Sequence, residues 1–260
     1  MRLTRQARTH GCGHRVDRAS RRGPSARGSG SGRGSGVASC ASILPGKHTT
    51  IWGFDGRFPG PTIRARRGRP IVIRRRNQLD VPMTTHLHGG KVPWRSDGHP
   101  VLSFAPGESY DYYYPNMQEA TTLWYHDHVH GKSARNNYMG LNGFYIIEDE
   151  EQDDLNLPKG KYDVPLVLHD RSFKKDGSFE FKDKVNDLLG DVYLVNGRPM
   201  PFFKVTNRKY RFRILNASPS RGYRLALDSG EPLVQIGSDQ GLLAAPSPAP
   251  EIPDLALGAG

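Results

Sequence analysis

The sequence predicts an all-β protein, and three observations carry that prediction. From Ile51 onward, short segments rich in β-branched and aromatic residues follow one another. Gly, Pro, Asn and Asp punctuate them, and helical periodicity is nearly absent. That spacing argues for an antiparallel sandwich or barrel. The 260 residues suit one large domain or two of ordinary size. A chain of this length buries roughly 70% of its unfolded surface and needs no disulfide staples.

Residues 1–42 read as a disordered tail. The stretch "SARGSGSGRGSG" has no apolar periodicity, and such a composition does not offset its ordering entropy. Nine arginines and one acid, Asp17, put +8 of the formal +11 charge within residues 1–36. The remainder is near neutral, so nucleic-acid binding applies to the tail alone and is disfavoured for the globular part. Arg21-Arg22 is followed by "GPSARGSGSG" rather than an apolar run, and no stretch of about 18 apolar residues occurs. The chain as written therefore shows no recognisable export signal, no transmembrane segment and no membrane partner, and reads as cytoplasmic. Both cysteines, Cys12 and Cys40, fall in the tail, so a disulfide framework is not expected.

A first domain is expected over residues 43–160. "PIVIRRRNQL", "SYDYYYP", "TLWYHDH" and "GFYIIED" are its strands, with turns at "FPGPT", "RRGRP", "APGES" and "YPN". "KSARNNYMGLN" holds at most a turn of helix. Acids then cluster in "EDEEQDDLNLPKG", residues 148–160, a linker by composition. A second β-rich region occupies 161–260 and includes "YDVPLVLHDRSF", "DVYLVNG" and "FFKVTNRKYRFRILNAS". In "KYRFRIL", Tyr210, Phe212 and Ile214 alternate with Arg211 and Arg213, the pattern of a half-buried strand with its apolar residues inward. The closing Ala/Pro/Gly-rich stretch supplies no final strand, so this second sandwich reads as unfinished.

Five of the ten histidines stand at alternate positions: His86 and His88 in "TTHLHGG", and His126, His128 and His130 in "TLWYHDHVHG". Alternate side chains of a strand share a face, so two imidazole pairs can converge on one centre. Neutral imidazole binds first-row transition metals, and a site of histidines without carboxylate or thiolate favours copper or zinc. His86, His88, His126 and His128 are the candidate ligands. His130 continues the alternation but would crowd the centre, so it takes an outer or solvent-facing role; His99 and His169 are non-ligands. A binuclear zinc hydrolase would want His-x-His-x-Asp-His, but Val129 and His130 stand where that pattern needs otherwise. A cupin-type site would want a Glu soon after its His-x-His, and neither segment has one. Trp124 and Tyr125 are expected to pack beneath the ligand strand.

"WGFDGRFPGPTIRARRG", "THLHGG", "SDGHP", "TLWYHDHVHG", "YMGLNGFYIIED", "YDVPLVLHDRSF" and "YRFRILNAS" together resemble the multicopper oxidases, in particular the bacterial bilirubin oxidase, phenoxazinone synthase and spore-coat laccase branch. The resemblance runs from Thr49 to Leu243. It implies cupredoxin-like Greek-key sandwiches, one complete and one truncated, and a trinuclear copper cluster between the family's first and last domains. It implies that His86 binds the type 2 copper, that His88 and His126 bind one type 3 copper, and that His128 binds the other. Asp97, in "SDGHP", matches an acid that assists proton delivery during dioxygen reduction; before Gly98 it could equally cap a turn.

The departures matter as much. The family closes its cluster with two further His-x-His segments, one of them His-Cys-His, whose Cys binds the type 1 copper. This sequence has no Cys after Cys40 and no His after His169. The expectation is thus the N-terminal portion of a laccase-like oxidoreductase, with type 2 and type 3 copper as cofactors and the type 1 site absent. Its partners would be dioxygen, a small reducing substrate, and a C-terminal domain or another chain to complete the cluster. The alternative is a copper-binding fragment or scaffold module without turnover.

Overall fold

The computed structural model describes residues 30–183, 187–239, 241–248 and 255–257. Strands dominate. In the first region β1 (Gly30–Ala41), β2 (Thr49–Phe54), β3 (Ile63–Arg66), β4 (Ile71–Asn77), β5 (His86–His88), β6 (Ser109–Tyr114), β7 (Thr121–His126) and β8 (Asn142–Glu148) form two four-stranded sheets. Their orders are β2-β1-β4-β6 and β3-β8-β7-β5. The sheets enclose a core of Phe54, Ile73, Met83, Leu87, Leu123, Tyr125, Leu141 and Tyr145. This is the sandwich the composition predicts, with one difference: β1–β4 and β3–β8 pair in parallel, so the sheets are mixed.

Helices are few but exceed the single turn expected, and one falls in the stretch expected to be a linker. Helix α1 (Ser133–Met139) lies between β7 and β8, and α2 (Glu150–Asp154) follows β8. Asp149 caps α2 by accepting from the Gln152 backbone N–H, and Glu150, Glu151 and Asp153 sit in its first turn, where acids complement the helix dipole. Among the described residues no helix is long and apolar enough to cross a membrane.

The tail expectation needs correction. Residues 1–29 lie outside the described residues, but residues 30–41 form β1, an inner strand bonded to β2 on one side and β4 on the other. The physical reason lies in its glycines. Gly34 and Gly36 are buried, and a Cβ on them would stand 2.2 Å from the Arg75 guanidinium and 2.4 Å from Met83 Sδ. Here glycine marks close approach rather than disorder. Cys40, on the same strand, is disulfide-bonded, which the sequence reading does not anticipate.

The second region carries β9 (Asp163–Arg171), β10 (Val192–Val195), β11 (Arg198–Pro199) and β12 (Arg211–Asn216) in the order β11-β10-β9-β12, with β9–β12 parallel. Two small pairs follow: β13 (Tyr223–Leu225) with β16 (Leu255–Leu257), and β14 (Val234–Ser238) with β15 (Gly241–Pro248). Strand β12 alternates as predicted but faces the other way. Arg211 and Arg213 are buried, while Phe212 is 41% exposed. Asp163 forms a two-point ion pair with Arg213 at 2.8 and 2.9 Å, and Arg213 also donates to Thr122 Oγ1 at 2.6 Å. Arg211 donates to Gln152 at 2.8 Å. The inward Arg213 ties the second region to β7, the strand that carries His126, and Arg211 ties it to α2.

Candidate metal centre

Strands β5 and β7 place the histidines. They pair antiparallel with His86 opposite His126 and His88 opposite Trp124. Ring centroids lie 5.2 Å apart for His86 and His126, 5.8 Å for His86 and His88, and 5.9 Å for His88 and His126. One ligand nitrogen from each of these three lies within 4.8 Å of the others. His128 sits beyond the end of β7, yet its ring reaches the same cluster, 5.3 Å from His86 and 5.6 Å from His126. The two His-x-His segments therefore share one centre.

The register is held by groups outside that cluster. Asp127 points the other way from its neighbouring histidines and is fully buried. Its carboxylate accepts from the Thr84 and Val129 backbone N–H groups at 3.0 and 3.1 Å and from the Asn136 side chain at 2.8 Å. One carboxylate thus fixes β5, the end of β7 and α1 to each other. Burial pushes this carboxyl up to about 6 despite those donors. The Tyr112 hydroxyl accepts from the Thr85 N–H at 2.8 Å and holds the approach to His86. On the far side, the Tyr125 hydroxyl donates to the Pro61 carbonyl at 2.7 Å, in a slot that Gly60 and Gly143 leave open.

Backbone carbonyls set the tautomers of two rings. His86 Nδ1 lies 2.6 Å from the Asp97 carbonyl, and His126 Nδ1 lies 2.9 Å from the Asp127 carbonyl. A carbonyl only accepts, so each Nδ1 carries the proton and each Nε2 keeps its lone pair. His126 Nε2 is buried and has no hydrogen-bond partner. Desolvation holds the His126 imidazole down to about 3, so it is neutral, the form that binds a metal. An orphaned, buried, neutral nitrogen beside two other imidazoles fits a bound transition metal.

Asp97 does two things. Its N–H closes the short turn Trp94–Ser96 by donating to the Trp94 carbonyl at 3.2 Å, and its carboxylate lies 3.4 Å from His86 Nδ1. Gly98 behind it has φ +72°, and a Cβ there would stand 2.1 Å from the Thr85 carbonyl. His130 and His99 are exposed. His169 is fully buried away from the cluster, stacked on Phe58, with Nε2 3.1 Å from Asn142 Oδ1; burial holds it well below its ordinary value.

Trp124 does not pack beneath the strand. It shares the histidine face, stacks on His126 at 4.1 Å and lies 5.3 Å from His88. Strand parity signals this, since 124 and 126 differ by two. Tyr125 does lie on the opposite, core-facing side. Asp127 carries little signal in the sequence beyond being a charged residue at the buried parity position between two histidines.

Residues 38–152 match the multicopper oxidase family. The chain is 39% identical to a laccase of Bacillus stratosphericus over 241 residues, covering 76% of this chain and 47% of that protein. It is 42% identical to the bilirubin oxidase of Albifimbria verrucaria over 204 residues, covering 75% and 36%. The chain belongs to the multicopper oxidase family. The crystal structure of a laccase from Pediococcus acidilactici superposes with a TM-score of 0.82 at 34% identity, covering 88% of this chain and 50% of that one. This multicopper oxidase chain thus spans half or less of the length of these relatives. Its likeness extends to a protein of another description, the cell division protein FtsP of Escherichia coli, at 35% identity over 208 residues, 79% of this chain and 44% of that protein. Multicopper oxidases are oxidoreductases that bind copper, and the imidazole set described above suits copper.

Proposed function

We propose that this chain supplies half of the trinuclear copper centre of a laccase-like oxidase. The complete protein couples one-electron oxidation of phenolic, pigment or metal substrates to the reduction of dioxygen to water. The observation that carries this reading is the convergence of four imidazoles with the buried His126 Nε2 left free. His86 would hold the type 2 copper, His88 and His126 one type 3 copper, and His128 the other. When bound, copper supplies the one-electron redox chemistry. The chain's own residues supply the rest. The Asp97 and Asp127 carbonyls orient two ligand rings, Trp124 walls the site against water, and the Asp97 carboxylate, beside His86, is placed to hand protons inward.

The sequence has no Cys after Cys40 and no His after His169, so the type 1 ligands and the remaining cluster ligands must come from outside it, from a further domain or another chain. The chain alone is expected to bind Cu(II) but not to consume oxygen with a phenol. Calorimetry and electron spin resonance on wild type, His86→Ala and His126→Ala test the first half; binding that survives both substitutions refutes the centre. Oxygen uptake with a phenolic substrate tests the second. Turnover by the isolated chain would show that it needs no completing segment. The second reading is a copper-binding or scaffold module without turnover, and the likeness to the cell division protein FtsP favours it. The two readings part when a segment carrying His-Cys-His is supplied: the oxidase reading requires activity to appear.

A further inference from the structure

We propose that Asn137 and Arg171 are positioning residues for the metal ligand His126, so that the second region, through Arg171, sets the aim of a ligand ring on the sandwich. The proposal rests on the copper reading above. The side-chain amide of Asn137, on α1, grips residue 127 at two points. Its Oδ1 accepts from the Asp127 N–H at 3.1 Å, and its Nδ2 donates to the Asp127 carbonyl at 3.1 Å. An N–H only donates and a carbonyl only accepts, so the amide has one orientation here. That same carbonyl receives the His126 Nδ1–H at 2.9 Å. Asn137 Nδ2 and His126 Nδ1 lie 3.5 Å apart, as two donors sharing one acceptor do. Both lone pairs of the carbonyl are thus filled, one by the ligand ring and one by Asn137. Turning this carbonyl would turn the ring and its free Nε2, and Asn137 keeps it from turning. The Asp127 N–H is shared with the Leu141 carbonyl at 3.0 Å, so losing Asn137 leaves the backbone there still paired.

Asn137 is itself held from the second region. Arg171, on β9, is fully buried. Its Nη2 donates to the Asn137 carbonyl at 3.3 Å, its Nε to the Tyr138 carbonyl at 2.8 Å and its Nη1 to the Asp170 carbonyl at 2.7 Å. The first two carbonyls belong to the last turn of α1, where carbonyls run short of intrahelical partners. The guanidinium also lies 4.4 Å from the centre of the Tyr138 ring. Asn142, directly opposite His126 in the sheet, adds a bond from its Nδ2 to the Asn137 carbonyl at 3.1 Å. A buried cation whose hydrogen bonds, among the described residues, all end on carbonyls is a costly device. What it fixes is the short helix that carries the clamp on His126.

The test is Cu(II) titration of the full 260-residue chain, followed by calorimetry and electron spin resonance. The variants are Asn137→Ala, Arg171→Met, Arg171→Lys and His126→Ala. Ile73→Ala, a buried core position on β4, controls for lost stability. Asn137→Ala should keep the wild-type circular dichroism, lose about ten-fold in Cu(II) affinity and shift the copper hyperfine values. Arg171→Met should shift them in the same sense. Arg171→Lys keeps one buried donor in place of the fork and should return part of the way to wild type. Ile73→Ala should unfold earlier with an unchanged copper spectrum. Wild-type affinity and spectrum in Asn137→Ala overturn the proposal, and so does an equal spectral shift in Ile73→Ala. A wild-type spectrum in Arg171→Met overturns the second region's part in it. Should Arg171→Met fail to fold, Arg171→Lys decides: a spectrum between wild type and Asn137→Ala supports that part, and a wild-type spectrum overturns it. If His126→Ala also binds copper like wild type, the copper reading itself fails and this proposal with it. Loss in His126→Ala alone removes only the roles of Asn137 and Arg171.

Discussion

The two β regions solve the same packing problem to different degrees. In the first, two sheets face each other, and Phe54, Met83, Leu141 and Tyr145 are completely buried between them. In the second, Phe202 is 85% exposed and Met200 78%, with Val205, Phe203 and Phe212 also open to solvent. One face of its sheet is covered by the first region, where Phe144 and Ile146 of β8 pack with Val167, Leu215 and Ala217; the exposed residues lie on β12 and in the segment before it. The histidine cluster sits on the closed sandwich, where strand positions are fixed by packing. The open region is joined to it by an apolar contact of Phe144 and Ile146 with Val167 and Ala217, and by polar bridges from Arg213 to Thr122 and from Arg64 to Asp163. The ligand scaffold is therefore set by one large apolar core, and the attachment of the second region by smaller apolar clusters together with polar bridges through Arg213 and Asp163.

Breaking the buried ion pair of the second region should have the largest effect. Asp163→Ala leaves Arg213 buried without its carboxylate, which costs about 3–5 kcal/mol. Denaturant unfolding monitored by tryptophan fluorescence checks this. The double variant Asp163→Leu/Arg213→Met removes both charges and should recover most of the loss. If Asp163→Ala unfolds with the wild-type midpoint, the buried ion pair does not stabilise the fold. The pair also has a pH signature. Although burial opposes it, the Arg213 guanidinium holds the Asp163 carboxyl below its ordinary value. Its contribution is therefore present above about pH 4, the unfolded carboxyl's range, and is lost as pH falls through the lower folded value.

The next effect tests β1. Gly36→Val would force a side chain into the space of Met83 Sδ, and overpacking of that kind costs about 1–3 kcal/mol. The same change in a tail would cost nothing measurable, so thermal unfolding of Gly36→Val separates strand from tail.

That strand shows where the sequence was and was not legible. The histidines could be read because a period of two is a local signal, and the strands of the first region because their apolar residues face a real core. In β1 the period of two is equally present, with Gly at 30, 32, 34 and 36. It was obscured because the inward residue is the one with no side chain, and what fills the space comes from Arg75 and Met83, distant in sequence. On β12 the alternation was visible but its direction was not. Whether arginine or phenylalanine points inward is decided by Asp163 on the neighbouring strand and Thr122 across the interface, and nothing local encodes that. Asp127 was missed for the same reason: its partners Thr84 and Asn136 become neighbours only in the fold.

A smaller, pH-dependent effect comes from His169. Burial holds its imidazole well below the ordinary value, so the folded protein keeps it neutral. The unfolded chain protonates it below about pH 6.5. The unfolded state then binds more protons, and stability falls as pH drops below 6.5, by at most about 1.4 kcal/mol per pH unit from this group. Other buried groups titrate in the same range, so the informative quantity is the difference between wild type and His169→Gln. That difference should change between pH 6.5 and 5 and stay flat above 7. A flat difference throughout would mean that His169 takes up its proton in the folded state.

The smallest effect sharpens the contrast between the regions most directly. Phe202→Ser removes a large apolar side chain from a position already 85% exposed, so the area returned to water is slight. Its stability should stay within about 0.5 kcal/mol of wild type, whereas Phe54→Ala, at a fully buried position, should lose about 3–5 kcal/mol. The same chemical class of residue thus gives opposite answers in the two regions. The solubility of Phe202→Ser should rise, because an apolar patch of Met200, Phe202, Phe203 and Val205 promotes self-association. Sedimentation of wild type and variant at several concentrations measures this. If Phe202→Ser instead unfolds several kcal/mol earlier, Phe202 is covered in solution, and the two regions are packed more alike than their exposures indicate.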